Sequence, residues 1–473
     1  MSAAVEADIC IVGAGSGGLS VAAGAAQMGA RTVLIERAAM GGDCLNSGCV
    51  PSKALIAAGR AAQAMRGAGR FGIAPVEPRV DFPAVRDHVR GVIAGIAPHD
   101  SVERFTALGV RVIRGSARFT GPDRIAVDDG TAVRAKFFVV ATGSRPALPP
   151  IPGLDSVPHF TNETIFENAE RPEHLAVIGG GPIGCEMAQA HRRLGSRVTL
   201  LQRGTILPKD DPELVDLVRR RLAAEGIELI EHAEIAAVAA AGGGVAIALA
   251  DGRRIAASHL LVAAGRRPDT AGLGLEAAGI EADARGIRVD DRLRTSNRRV
   301  FAVGDVAGGP QFTHVAGYHA GIVIRNTLFR LPAKVDLRAL PWVTYTEPEL
   351  AQAGPTEAEA RARHGDSVRV LRWSFAENDR ARTELEAEGL VKAVVDRRGR
   401  VLGASICGPQ AGELIGMWGL AIQQRLKIGA VATWLAPYPT LGEVNKRAAG
   451  SYYTPSLFSE RTRRLVRLLL RLP

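Results

Sequence analysis

One thirty-residue pattern occurs twice in this chain. "DICIVGAGSGGLSVAAGAAQMGARTVLIER" (Asp8 to Arg37) and "HLAVIGGGPIGCEMAQAHRRLGSRVTLLQR" (His174 to Arg203) align without a gap at an offset of 166 residues. Each reads as an apolar strand, a G-x-G-x-x-G turn, an Ala-rich helix, a glycine and a second apolar strand. The glycines are Gly13, Gly15 and Gly18 in the first copy and Gly179, Gly181 and Gly184 in the second. The first allows a tight turn, the second lets the backbone approach a pyrophosphate, and the third lets helix and strand pack closely. The helix N-terminus then offers its positive dipole end to the phosphate. A single copy would be weak evidence. Two copies in the same strand-turn-helix-strand setting predict two dinucleotide-binding domains.

The residue that ends each second strand reports on the nucleotide ribose. In the first copy it is Glu36, which can bond a ribose hydroxyl, as expected for FAD or NAD. In the second it is Gln202, followed by Arg203. An acid would repel a 2′-phosphate and a guanidinium would attract one. Arg203 reads either as a ligand for that phosphate or as a solvated surface charge. The first reading predicts NADPH over NADH.

A chain of 473 residues holds two to four domains, and 47 % apolar with 23 % charged residues is ordinary for a globular protein. The net charge of +10 is diffuse. No nucleic-acid-binding signature accompanies it, so nucleic acid is not expected as a partner. The first residues, "MSAAVEADICIVGAG", have neither a basic n-region nor a separate apolar h-region, and no apolar run approaches a membrane span. A cytoplasmic location follows as the expectation. Five cysteines, with Cys10, Cys185 and Cys407 in apolar or glycine-rich contexts, argue against a disulfide framework.

The remaining two cysteines lie in "GGDCLNSGCVPSKAL" (Gly41 to Leu55), just after the first repeat. The spacing of Cys44 and Cys49 lets a loop bring them within disulfide reach. "VPSKALIAAGRAAQAM" reads as a helix whose positive end lies near Cys49, which lowers a thiolate's pKa. Lys53 falls one turn later on the same face. Beside a bound flavin such a pair suggests a relay from nicotinamide to flavin to disulfide to substrate. The alternatives are a metal site, for which no further ligands stand nearby, or two structural thiols. No metal ligand set is assigned.

This loop resembles the redox-active disulfide signature of the flavoprotein disulfide reductases, the class I pyridine nucleotide-disulfide oxidoreductases. "VVATGSRP" (Val139 to Pro146) is similar to the segment where the chain leaves the FAD domain. "TSNRRVFAVGDVAG" (Thr295 to Gly308) is similar to the second FAD motif, and "WVTYTEPELAQAG" (Trp342 to Gly354) to the start of the dimerisation domain. The resemblance implies roles. Cys44 would be the interchange thiol that meets substrate, and Cys49 the thiol against the flavin. Lys53 would pair with Glu186, which stands where the first repeat has Ser20. Asp305 would bond the flavin's ribityl chain, and Gly42, Thr142, Gly143 and Gly265 would join the cofactor-binding set. The implied fold is α/β: two Rossmann-like FAD- and NAD(P)-binding domains plus a C-terminal α+β dimerisation domain. The expected boundaries are 1–150 (FAD, first part), 151–270 (NAD(P)H), 271–340 (FAD, second part) and 341–473 (dimerisation). Within the last, "GLVKAVVDRRGRVLGASICG" alternates like an antiparallel hairpin and "AGELIGMWGLAIQQRL" reads as a helix.

The departures matter as much. Dihydrolipoyl dehydrogenase and glutathione reductase carry a His-Pro-Thr stretch whose histidine serves as base in the partner subunit's site. Here the stretch is Tyr438-Pro439-Thr440, with Glu443 in the expected place. A phenol, with its ordinary pKa near 10, is a poor base at neutral pH. Tyrosine there, and Gln202-Arg203, resemble mercuric reductase. Yet the vicinal C-terminal cysteines that deliver metal in mercuric reductases are missing. The expected activity is electron transfer from NAD(P)H through FAD and the Cys44–Cys49 pair to a thiol-reactive acceptor. That acceptor could be Hg(II), a lipoyl group, another disulfide or a quinone-like molecule. A non-catalytic flavin-binding redox sensor is the alternative from another class. A homodimer follows because Tyr438 and Glu443 would complete the partner's site. His314, in a stretch the family places near the flavin, receives no role. The basic, leucine-rich tail from Arg461 onward is expected to dock on the dimer, with membrane-surface contact as the second reading.

Overall fold

The computed structural model of the chain describes residues 4–472. Its first sheet runs Val110–Arg114, Thr32–Glu36, Val5–Val12 and Ala132–Val140, all parallel. An antiparallel pair, Arg124–Val127 and Ala117–Gly121, extends it past Ala132–Val140. Val300–Ala302 also pairs in parallel with Ala132–Val140, although about 160 residues separate them in sequence. The chain therefore leaves this sheet and returns to complete it. The strands that are buried on both faces read as apolar runs, as parallel strands between helices must.

The excursion forms the second nucleotide unit. Its sheet runs Glu228–Ile230, Arg197–Leu201, His174–Ile178 and His259–Val262, all parallel. A three-stranded antiparallel sheet, Ile235–Ala241, Gly244–Leu249 and Arg254–Ala257, packs beside it. The two units are tied by short strands, Ser144–Pro146 and Arg266–Pro268, paired antiparallel. The C-terminal region is a five-stranded antiparallel sheet with helix Ala411–Gln423 against it, and it contains the expected hairpin, Leu390–Val395 with Val401–Gly408.

Two helix contacts position the site. Ser16–Gln27 lies on Thr313–Thr327, close enough that a Cβ on Gly17 would come within 3.3 Å of Ala316 Cβ. Cys49–Gly67 lies on Pro182–Arg193, where Gly59 faces the Ala190 carbonyl. The second contact brings the thiol segment of the first unit onto the dinucleotide helix of the second. Expected as a loop, the Cys44 segment is in fact a short helix, Gly42–Asn46, and Cys49 is the first residue of the next one. The glycines on either side, Gly41 (φ 88°) and Gly48, absorb the turns that a side chain would block.

Candidate active site

The two glycine turns are near-copies. Gly13 and Gly179 have φ of 103° and 113°, in the region open to glycine. A Cβ on either would strike the end of a neighbouring strand, at 2.5 Å from the Ala141 carbonyl and 2.4 Å from the Ala263 carbonyl. A Cβ on Gly18 or Gly184 would lie 1.8 Å from the carbonyl of Gly13 or Gly179. Gly15 and Gly181 cap their helices with the same extended geometry. Around Gly181 there is nothing within 4 Å of a would-be Cβ, and at Gly15 only the Cα of Gly42. Gly42 itself (φ 59°) presses on Gly15, so the thiol segment crosses directly over the first helix N-terminus.

The strand-end residues do matching work. Glu36 accepts from Ala14 N at 2.5 Å and Gln202 from Gly180 N at 2.8 Å, the same bond made by a carboxylate and by an amide. Glu36 also accepts from Ala38 N at 2.7 Å. Gln202 lines the cleft between the units, with Lys209 beyond it. Arg203 is exposed and does not line the cleft.

A continuous cleft of about 2230 Å³ joins both turns. Gly13, Gly15, Glu36, Gly42, Thr142, Gly143 and Asp305 line one arm, Gly179, Gly181, Gln202 and Gly265 the other, and Cys44, Cys49, Lys53 and Glu186 stand between them. Bare backbone at two helix N-termini suits two pyrophosphates, so the residues fit FAD in one arm and NAD(P)H in the other. Thr142 Oγ1 donates to the Asp269 carbonyl at 2.6 Å. Asp305 accepts from Ser144 Oγ at 2.5 Å, and Arg266 holds Ser144 through its Nε at 2.8 Å. Arg266 also reaches Asp43 beside Cys44, at 3.3 Å. Burial raises the Asp305 pKa, and the Ser144 bond works against that.

Cys44 and Cys49 are both present as thiols. Their titrations are tied to each other. The hydrogen bond from Cys44 is the largest influence lowering Cys49, and it does so against burial. Thr313, with Oγ1 3.5 Å from the sulfur, and the Lys53 charge add to it. Together they bring Cys49 down to about 6 from an ordinary 9.0. The same contact, with burial, pushes Cys44 far up. Cys49 is thus the thiolate and Cys44 the thiol that keeps its proton.

Lys53 Nζ donates to Glu186 Oε2 at 2.8 Å and lies 4.4 Å from the centre of the Tyr345 ring. The other Glu186 oxygen accepts from Tyr345 N at 2.9 Å. A carboxylate only 5 % exposed therefore has both oxygens partnered, while Lys53 is 37 % exposed toward the cleft. Sequence reasoning missed Thr313, Tyr345, Ser144 and Asp379. Only Ser144 had a local signal: "VVATGSRP" and "LVAAGRRP" (residues 139–146 and 261–268) are near-repeats, and they end in the paired strands.

Tyr438 and Glu443 lie together but apart from the thiols of their own chain. Tyr438 is 70 % exposed, and its hydroxyl donates to Asp379 Oδ2 at 3.1 Å. That bond, then the charges of Asp379 and Glu443, push the phenol further above its ordinary pKa. His314 Nε2 donates to the Pro341 carbonyl at 2.9 Å, and its ring stacks on Phe312, 5.2 Å between ring centres. Among the described residues no three His, Cys, Asp or Glu side chains are grouped to hold a metal ion.

The model of the pyridine nucleotide-disulphide oxidoreductases matches residues 7–320, and that of their dimerisation domain matches 340–449. A mercuric reductase from Streptomyces lividans is 38 % identical over 456 residues, 94 % of this chain and 96 % of that one. A dihydrolipoyl dehydrogenase from Geobacillus stearothermophilus is 34 % identical over 463 residues, again 94 % and 96 %. Among solved structures, LpdA from Mycobacterium tuberculosis superposes with a TM-score of 0.87 at 28 % identity, covering 95 % of this chain and 99 % of that one. The Cu(II) complex of the HOCl-induced flavoprotein disulfide reductase RclA from Escherichia coli gives 0.84 at 28 %, covering 93 % and 99 %.

Proposed function

The chain belongs to the pyridine nucleotide-disulphide oxidoreductases and is an FAD- and NAD(P)H-dependent oxidoreductase; from that premise we propose that it reduces a thiol-reactive acceptor at Cys44 and Cys49, in the manner of mercuric reductase. FAD held along Gly13, Gly15, Glu36 and Asp305 would supply an electron pair, drawn from NAD(P)H, beside Cys49. The chain's own groups do the rest. As the pair arrives, the Cys44–Cys49 S–S bond opens. Cys49 is left as a thiolate, held by Cys44, Thr313 and Lys53, and Cys44 takes up one proton. Glu186 holds Lys53 Nζ in place, and Tyr345 N fixes Glu186. An acceptor disulfide is attacked by Cys44, whose proton passes to the first departing sulfur; the Cys49 thiolate then re-forms the Cys44–Cys49 bond and expels the second sulfur, which takes its proton from water. Hg(II) is held by the two sulfurs, Cys44 giving up its proton to water, and leaves as the metal when the two thiolates pass it two electrons and re-form their S–S bond.

The observation that carries this reading is the exposure of the thiols. Cys10, Cys185 and Cys407 are fully buried, so only Cys44 and Cys49 face the cleft. Tyr438 supports a metal or disulfide acceptor over efficient dihydrolipoamide oxidation. A phenol whose proton is held by Asp379 is a poor base for the thiol of a dithiol substrate. Lys209 in the cleft, with Gln202 instead of an acid at the strand end, favours NADPH over NADH. We place the enzyme in the cytoplasm as a homodimer, in which the exposed Tyr438 and Glu443 complete the second site. The test is an acceptor screen with NADPH, covering Hg(II), lipoamide, glutathione disulfide and quinones, repeated on Cys44→Ser. Loss of activity in the variant supports the reading; full activity would place the chemistry on the flavin alone.

A further inference from the structure

The match to the dimerisation domain ends at residue 449, and the chain runs on to 473. This extension folds. Ser459 caps a helix, Glu460–Leu469, by accepting from Thr462 N at 3.2 Å. Glu460 pairs with Arg467 at 2.6 Å and with Arg464 at 3.5 Å. Among the described residues, every side-chain hydrogen bond and ion pair of the helix stays within Ser456–Arg467, and none of its residues is buried.

Helical geometry sorts most of the side chains. At about 100° per residue, Glu460, Arg463, Arg464 and Arg467 fall within an arc of about 100°. Leu465, Val466, Leu468 and Leu469 cover about 160° on the other side, an arc that also holds Arg461 and Thr462, and Leu470 and Leu472 follow the helix end. These apolar side chains are exposed, from 46 % at Val466 to 79 % at Leu470, and Leu457 and Phe458 just ahead of the helix are exposed too. An apolar face left this exposed among the described residues is made for a surface. The helix itself brings four arginines against one glutamate. An anionic lipid surface is complementary to both the charge and the apolar face. No helix among the described residues is long and apolar enough to cross a membrane, so the helix lies in the plane of the surface.

We infer that the C-terminal helix is an interfacial anchor that binds the enzyme to anionic membranes, independently of its redox chemistry. The experiment uses the full-length, FAD-loaded enzyme and co-sedimentation with two kinds of vesicle, phosphatidylcholine alone and phosphatidylcholine mixed with phosphatidylglycerol. Two variants accompany it, Leu468→Asp with Leu469→Asp, and Arg463→Glu with Arg467→Glu. Wild type binds the anionic vesicles and releases in high salt. Affinity falls at least about ten-fold on neutral vesicles and in either variant, while oligomeric mass and NADPH turnover stay unchanged. Equal sedimentation of wild type and both variants, or no binding to anionic vesicles, would overturn the inference. So would a fall in oligomeric mass in the Leu468→Asp, Leu469→Asp variant, which would assign the helix to a second copy instead.

Discussion

The two nucleotide units share one backbone and differ in what hangs from it. Both use a left-handed first glycine, a third glycine against its carbonyl, and a strand-end side chain that bonds the amide after the first glycine. The first unit spends a carboxylate on that bond, and the second an amide. The next residue diverges in the same sense. Arg37 is neutralised by the buried Asp269 at 2.5 Å, whereas Arg203 makes no ion pair among the described residues. The units diverge again at the helix position held by Ser20 and Glu186. Ser20 bonds only its own helix, at Ser16 O, while Glu186 reaches out to Lys53 and Tyr345. The shared part is what any dinucleotide needs, and in the proposed function it is the divergent side chains that set which nucleotide and which chemistry.

That division is open to direct attack. The largest effect belongs to the shared part. Gly18→Val and Gly184→Val each push a side chain into a carbonyl, at a cost of more than about 3 kcal/mol locally. Gly18→Val should lose FAD, read from absorbance after desalting. Gly184→Val should keep FAD and raise the KM for NADPH at least about ten-fold. Identical behaviour would mean that the two arms have not separated their roles.

Next comes the residue the second unit gained. Lys53→Met leaves the buried Glu186 without its cation, although Tyr345 N still bonds it. The free energy of unfolding, read by chemical denaturation, should fall by about 3 kcal/mol. Glu186→Ser restores the first unit's residue and leaves a lysine that can hydrate, so its cost should be nearer about 1 kcal/mol. Equal losses would show that burial does not decide the balance of this pair. Smaller again is the nucleotide preference. Gln202→Glu or Arg203→Ala should each lower the NADPH-to-NADH ratio of kcat/KM by about ten-fold, one charge-assisted hydrogen bond's worth. An unchanged ratio for both would leave Arg203 as a solvated charge.

The pH dependence is the mildest. In the reduced enzyme Cys49 alkylation should be half-maximal near pH 6, faster above and slower below. Because the fold holds this thiol below its ordinary 9.0, its contribution to stability is complete above that value and is lost as pH falls through about 6. Thr313→Val should raise the midpoint by less than about one unit, and no rise would remove Thr313 from the site.

Much of this was legible in the sequence because it rests on local rules. Glycine positions set by φ and by close packing, apolar strand runs and the cysteine spacing are all short-range signals. Glu186 was legible only because a repeat gave Ser20 to compare it with. What stayed hidden is long-range. Asp379 lies 59 residues from the Tyr438 hydroxyl it accepts from, and Tyr345 meets Lys53 only because three segments converge on one carboxylate. The Gly42–Asn46 helix was missed because five residues bounded by glycines give no periodicity to read.

The central claim is that electrons leave through the Cys44–Cys49 pair. Its most direct test is to treat the oxidised enzyme anaerobically with one equivalent of NADPH, quench with an alkylating agent and map the labels by mass spectrometry. Cys44 and Cys49 should be unlabelled before NADPH and both labelled after it, in step with nucleotide oxidation. A pair that stays unlabelled while NADPH is consumed and an acceptor is reduced would contradict the account.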